Sequence, residues 1–186
     1  MRTAHAHLKS VSPYSQSKYI ETKKSRDQTH ADFERDHWRE RLHRDEKGIV
    51  FIPPMSFKNC LAEAAKYKSI QIPGKGKSTY TKHFEAGVLC FTPLTLGVKV
   101  DDVEGETFHV PSDGRRGGTT RVEKCFPVIR SWEGVVEFLV LDDLIDDEVF
   151  KTHLEDAGKF IGIGRFRPRN NGFYGRFEVV EIEWTA

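Results

Sequence analysis

The chain has 186 residues, and its 29 lysines and arginines nearly balance 28 aspartates and glutamates. With 38% hydrophobic and 31% charged residues, the composition excludes wholesale disorder and an integral membrane protein. The amino terminus has no apolar signal segment, and the three cysteines form no Cys-x-x-Cys pair. We therefore expect a cytoplasmic protein without a disulfide framework or a cysteine zinc site.

The nearly neutral total conceals separate blocks of charge. Residues 55–83 contain six lysines and one acid, residues 162–177 contain four arginines and no acid, and residues 135–156 contain eight acids and one lysine. Such blocks predict a basic face and an acidic face on the folded chain. Ordinary solvated surface is the simpler interpretation of any single block. Two basic blocks that also carry glycines and aromatics favour a polyanion as the partner.

In chain order, the pattern begins with a weakly alternating strand over residues 4–11. Residues 12–47 differ in kind, because 17 of these 36 residues are charged, nine basic and eight acidic. We interpret them as a polar insertion, ordered partly by a neighbour or ligand, with a short helix that Thr29 caps. A short apolar strand over residues 48–53 follows. The next helix is amphipathic, and Ser56 is placed to cap its first turn.

Residues 74–120 are interpreted as a second, thumb-like insertion, since their short β-prone runs are interrupted by prolines and glycines. Strand patterns follow over residues 121–130 and 135–141.

The carboxyl-terminal part begins with a helix that Asp146, Asp147 and Glu148 open and that Gly158 is expected to end. A glycine-rich hairpin over residues 160–184 comes last, and its alternation changes phase at Val179-Val180, which indicates a bulge. Without the insertions, the order is close to βαββαβ. We predict an α+β fold, ferredoxin-like or RRM-like, over residues 1–186 as a single domain.

The strongest local motif is GIGRFRPRNNGFYGRF at residues 162–177. Its glycines, Gly162, Gly164, Gly172 and Gly175, remove side chains where another backbone could come close, and we expect that to be a nucleotide's sugar–phosphate chain. Its arginines suit phosphate oxygens, and its aromatic rings suit stacking on bases. The alternative is a hairpin whose glycines only satisfy backbone geometry. The predicted RNA-binding residues are Arg165, Phe166, Arg167, Arg169, Asn170, Tyr174 and Arg176.

Two further segments are candidates for phosphate contacts. The strand-to-helix junction IPPMSFKN at residues 52–59 presents a helix N-terminus, with Ser56 and Lys58 in its first turn. Taken alone, it is more typical of a plain capped helix with a surface lysine. The segment PGKGKS at residues 73–78 lacks the first glycine of a P-loop, so we interpret Lys75 and Lys77 as part of a basic loop that touches a nucleic-acid backbone.

The eight histidines show no metal-ligating spacing, and no nucleophile–base pair is evident, so we expect no cofactor, no metal and no catalytic residue.

Together the two best motifs resemble the motif pair of the RAMP (repeat-associated mysterious protein) superfamily of CRISPR systems. Backbone subunits of that family carry an Ile-Pro-Gly-Ser-Ser-Leu-Lys-Gly type strand-to-helix motif, which corresponds to residues 52–59 with Pro54 and Met55 in place of Gly-Ser. They also carry Gly-apolar-Gly, a basic spacer and Gly-aromatic-Gly. Residues 162–175 match this pattern with one extra residue between the last two glycines.

The resemblance implies a backbone subunit that polymerises along a guide RNA and holds its phosphates without regard to sequence. It matches residues 12–47 to the region before the Ile-Pro motif and residues 74–120 to an inserted thumb. The implied partners are a guide RNA with or without a paired target strand, copies of the chain in a head-to-tail filament, and other effector-complex subunits, with no membrane. The implied phosphate contacts are Ser56, Lys58, Arg165, Arg167 and Arg169.

Two alternatives stay open. One is a guide-processing endoribonuclease of the same superfamily, which uses a histidine as general acid or base. The other is a small solitary relative, carried by a phage or plasmid, that occupies a place in a host complex and blocks it. Some relatives cut target RNA with an aspartate after the first strand, but no motif selects one among Asp27, Asp32, Asp36 and Asp45, so we predict no cleavage.

Overall fold

A computed structural model describes residues 1–112 and 117–185, so residues 113–116 of the expected thumb lie outside the described residues. No helix within the described ranges is long and apolar enough to cross a membrane. In chain order the elements are β1 (Arg2–Ser10), β2 (Tyr14–Ser15), α1 (His30–His37), β3 (Ile49–Ile52), α2 (Pro54–Lys68), α3 (Thr81–Gly87), β4 (Val88–Leu89), β5 (Leu94–Lys99), β6 (Glu104–Pro111), β7 (Arg121–Ile129), β8 (Glu133–Val140), α4 (Asp147–Asp156) and β9 (Phe177–Thr185).

A four-stranded antiparallel sheet in the order β4-β8-β1-β9 forms the centre of the fold. Alternation along β1 buries every second side chain beneath helices α2 and α4. The ring of Phe57 on α2 lies 6.2 Å from that of Phe177, and Phe150 on α4 lies 5.5 Å from Phe138. This strand order with two helices on one face is the ferredoxin-like arrangement, so the predicted α+β fold class is confirmed.

The strands of that central sheet are not all the ones that the pattern suggested. The second core strand is β4, only two residues long, inside the segment interpreted as the thumb-like insertion. The strand pattern at residues 121–130 is correct as a strand, but β7 pairs with β6 over eight residues and with β2, which makes a separate three-stranded sheet. Hydrophobic alternation identifies a strand without identifying its partner, and two residues are too few to alternate.

Two predicted helix ends are wrong. Ser56 does not cap α2, because the helix already begins at Pro54 and Pro53 is its N-cap residue. Proline suits the first turn of a helix, since a backbone N–H at that position has no partner within the helix. Gly158 does not end the following helix, since a π-helical turn continues from Ala157 to Ile161. A Cβ atom at position 158 would lie 2.1 Å from the carbonyl oxygen of Phe177, so this glycine allows the turn to pack against β9.

Three local predictions are confirmed. The Thr29 hydroxyl accepts a hydrogen bond from the backbone N–H of Asp32, and Asp146 caps α4 in the same way. The register between β1 and β9 shifts so that Leu8 faces Val179 while the preceding residue faces Glu181. Val180 is therefore the extra residue of the predicted bulge.

Candidate nucleic-acid interface

The glycine loop, residues 162–175, doubles back on itself between the π-helical turn and β9. The backbone N–H of Ile163 donates to the carbonyl of Gly175, and that of Tyr174 to the carbonyl of Phe166, at 2.9 and 3.0 Å. The loop is thus shaped like a hairpin, although no residue between 162 and 175 belongs to a strand. Gly164 and Gly175 have φ near +71°, which regular extended backbone does not allow.

The close approach that the glycines permit is to the chain itself. A Cβ atom at Gly164 would lie 2.4 Å from the carbonyl oxygen of Ser15, and one at Gly175 would lie 1.8 Å from that of Ile163. This corrects the expectation that a nucleotide would occupy the space left by the missing side chains. The other two glycines are enclosed in the same way, by Pro168 at Gly162 and by Phe166 at Gly172.

Residues 13–18 bring the two sequence motifs together. The N–H of Gly175 donates to the carbonyl of Pro13 and that of Arg165 to the carbonyl of Ser15, at 2.7 and 2.9 Å. On the other side, the buried Gln16 amide donates to a carbonyl of β3 at 2.8 Å. The glycine loop and the start of α2 therefore line one cavity of about 260 Å³, and its residues include Ser56, Gly164, Arg165, Lys18 and His43.

A larger cavity, of about 840 Å³, lies next to it between residues 17–24, α1 and β7. The two share Ser17, Lys18 and Arg165, so we treat them as one feature and call it the basic cleft. Among the described residues, the carboxylates that line it are Glu34 and Glu123, which bind Arg41 and His109 respectively. The cleft therefore has an excess of positive charge, from Lys18, Lys23, Lys24, Arg41, Lys124 and Arg165.

Arg165, like Lys18, is a cation that lines both cavities. Its guanidinium carbon lies 3.8 Å from the ring centroid of Phe126, and the buried Nε atom has no hydrogen-bond partner among the described residues. Burial and the neighbouring Arg41 lower the pKa of Arg165, although an arginine remains charged at any physiological pH. A charged group that is half-buried without a carboxylate is suited to bind an external anion.

Arg167 and Arg169 behave differently, because one carboxylate of α2 binds both. The Glu63 carboxylate forms ion pairs with the Nη1 atom of Arg167 at 2.9 Å and with the Nε atom of Arg169 at 3.2 Å. Both guanidinium groups thus lie against the helix instead of in the basic cleft. The motif predicted three equivalent phosphate contacts, and the structure brings only Arg165 to the cleft.

Two of the aromatic residues predicted to stack on bases, Phe166 and Tyr174, are engaged within the chain. The ring of Phe166 lies 4.8 Å from that of Phe108 on β6, and the Tyr174 hydroxyl donates to Glu106 at 3.0 Å. Burial and the Glu106 carboxylate raise the pKa of Tyr174. These contacts fasten the glycine loop to the β6–β7 pair. An exposed ring is available at Phe173, which is 63% exposed.

Most of the remaining predicted contacts lie away from the cleft. The Lys58 ammonium donates to the carbonyl of Glu85 on α3 at 2.7 Å. Lys75 and Lys77 are exposed beyond the far end of α2, about 18 Å along the helix from Ser56. Asn170 is exposed in a short 3-10 turn of the glycine loop, and the exposed Arg176 lines a different groove beside β9.

The aspartates that sequence analysis considered for cleavage do not line the cleft among the described residues. Asp32 binds Thr29 and Arg35, and Asp45 accepts from two backbone N–H groups of its own turn. Both therefore stabilise local structure.

Sequence analysis missed the cleft residues of the first insertion and of β7. Lys18, Lys23, Lys124 and His43 belong to no motif, and their proximity depends on how residues 12–47 pack against β7. The available signal was the high charge of residues 12–47, which indicated ordering by a ligand without saying where. Burial, and next the Lys18 ammonium, hold the pKa of His43 below its ordinary value.

No protein-family model matches the sequence, and no curated protein matches it. Among solved structures, Cmr6 from Pyrococcus furiosus is similar, with a TM-score of 0.51 over 96% of this chain and 99% of that chain, at 12% identity. A chain of a structure described as a CRISPR RNA-guided surveillance complex is 11% identical to this one, over 86% of this chain and 59% of that chain. Its TM-score of 0.33 is too low to indicate a shared fold. The chain thus shares its fold with Cmr6.

Proposed function

We propose that this chain is a non-catalytic RNA-binding subunit of an RNA-guided complex of the CRISPR type, and that its basic cleft holds guide-RNA phosphates without reading sequence. The observation that carries the proposal is the half-buried Arg165 guanidinium, stacked on Phe126 in a cleft with excess positive charge. The fold of Cmr6 and the resemblance of the two motifs to the RAMP superfamily support the same assignment.

The physical basis is phosphate neutralisation. An RNA strand in the cleft would place phosphates next to Arg165, Lys18 and Lys124, and counterion release would then supply most of the affinity. Ser56 at the start of α2 adds a hydroxyl in the smaller cavity. Such binding depends steeply on salt and weakly on base sequence.

The first test is whether the purified protein carries RNase-sensitive nucleic acid of defined length.

The second test replaces Arg165 with methionine, which keeps an apolar side chain against Phe126 and removes the charge. We expect the Kd for single-stranded RNA to rise about tenfold or more at low salt, with a shallower salt dependence. Arg176→Met is the matched control, since it removes the same charge from an exposed site outside the cleft. Equal losses in both variants would contradict the cleft as the binding site.

Head-to-tail association of copies is part of the same proposal. Glu133, Glu137 and Glu181 project from the sheet face that carries His5 and His7, and they form ion pairs or near contacts with these histidines. This acidic face complements the basic residues around the cleft. Sedimentation of the RNA-loaded protein should show particles larger than one copy that shrink in high salt, whereas a monomer at every salt concentration contradicts the association.

One observation supports the endoribonuclease as a second candidate. His43 lines the smaller cavity beside Arg165, and its lowered pKa keeps it neutral, as a general base must be. Incubation with labelled RNA in the presence of EDTA decides the question. Fragments that disappear in His43→Gln establish cleavage, and intact RNA retained by both proteins supports the binding subunit.

A further inference from the structure

A second surface that combines an exposed aromatic ring and a half-buried one with cations lies along α2, outside the basic cleft. Tyr67 is 55% exposed near the end of the helix, and its ring lies 6.2 Å from that of Phe160 in the π-helical turn. The ammonium groups of Lys68 and Lys159 lie 4.8 and 5.3 Å from the Phe160 ring centroid. We call these residues, together with Arg169 over Tyr67, the aromatic platform.

The platform is continuous with the cleft. Ser56, Glu63 and Tyr67 are seven and four residues apart, so they lie along one face of α2. Ser56 lines the smaller cavity, and Tyr67 stands about 17 Å further along the helix axis. The ion pairs of Glu63 with Arg167 and Arg169 lie between these two points.

The charge balance of this path favours an anion. Four cations, Arg167, Arg169, Lys68 and Lys159, stand against two carboxylates, Glu63 and Asp156. The exposed ring of Tyr67 and the half-buried ring of Phe160 supply its apolar surface, and an aromatic face is one that any base can stack on. Aromatic rings alternating with cations are typical of surfaces that bind single strands, whereas a protein partner would favour an apolar patch with few lysines.

We propose that the aromatic platform binds a single-stranded nucleic-acid segment that leaves the basic cleft along α2, with a base stacked on Tyr67 and a phosphate at Lys159. This proposal rests on the proposed function, because the cleft supplies the adjoining part of the strand. A strand that fills only the cleft would not reach Tyr67. Binding should therefore strengthen with strand length until the platform is occupied.

The experiment measures the Kd of fluorescein-labelled oligouridines of about 4 to about 16 nucleotides by anisotropy. With the wild type, affinity should rise at a length beyond that which saturates the cleft. Tyr67→Ala should raise the Kd of the long strands about tenfold and leave that of the shortest bound strands unchanged. Tyr67→Phe retains the ring and should bind all lengths like the wild type.

Phe91→Ala is the matched control, since that ring is 69% exposed at another site and should change no Kd. Circular dichroism melts confirm that the variants are folded. The platform is overturned if Tyr67→Ala weakens all lengths equally, if it weakens none, or if Tyr67→Phe behaves like it. If the wild type binds oligouridines of no length, the proposed function itself is overturned. If the binding of short strands depends on Arg165 while the Kd of long strands does not change in Tyr67→Ala, only the platform is overturned.

Discussion

The two sides of the glycine loop use the same residue type differently. On the cleft side, Arg165 stacks on Phe126 with no carboxylate within 4.0 Å among the described residues. On the helix side, Arg167 and Arg169 share the carboxylate of Glu63. An arginine in a basic motif is available to an external phosphate only where the fold has not already supplied an anion. The difference also predicts that Arg165 contributes more to RNA affinity than either of its neighbours.

The largest effect is expected on stability, from replacing Gly175, a glycine that connects the two sides of the glycine loop. In Gly175→Ala, the new Cβ atom would meet the carbonyl oxygen of Ile163 at 1.8 Å, at a φ of +71°. We expect the free energy of unfolding to fall by about 3 kcal/mol or more, measured by urea denaturation. The loss should release both sides of the loop at once.

Gly74→Ala is the control for this change. Gly74 has nearly the same φ, +73°, but a Cβ atom added there would meet no heavy atom of the described residues within 4 Å. It should cost only the left-handed backbone penalty of about 1 kcal/mol. Equal costs at the two positions would show that the loop does not depend on the close contact with Ile163.

A smaller effect is expected from Glu63, the residue that creates the difference between the two sides. Glu63→Gln removes the shared carboxylate and leaves Arg167 and Arg169 able to bind phosphate. The affinity for long RNA should increase a few fold, because about one additional counterion is released on binding. The salt dependence in anisotropy titrations should be steeper for the same reason. Glu85→Gln makes the same change in net charge on α3. If both variants gain affinity equally, the gain reflects net charge and Glu63 does not restrain the arginines.

The sequence was sufficient to predict the local elements of the fold and insufficient to predict the contacts on either side of the glycine loop. Alternation and helical periodicity predicted the α+β core, α2 and the β9 bulge because those signals are local. The pairing of Glu63 with Arg167 is set by packing of α2 against the glycine loop, and a motif search within residues 162–177 contains no information about it. The same reason hid Lys18, His43 and the two-residue β4, whose roles depend on distant partners.

The smallest expected effect is the pH dependence of RNA affinity that His43 in the basic cleft produces. Burial and the Lys18 ammonium hold the pKa of His43 below its ordinary value, so the imidazole of the free protein is neutral at pH 7. A phosphate bound in the same cavity, which Arg165 also lines, stabilises the protonated form and raises this pKa. The complex then holds more protons than the free protein, and by linkage the affinity must rise as the pH falls.

Between pH 8 and pH 5.5 we expect the Kd of a short oligouridine to fall a few fold in the wild type and less in His43→Gln. The difference between the two proteins isolates His43 from His30, which lines the larger cavity and is present in both. Parallel pH profiles would place the bound phosphate away from His43, and the strand would then run through the larger cavity past Lys124 without entering the smaller one beside Ser56.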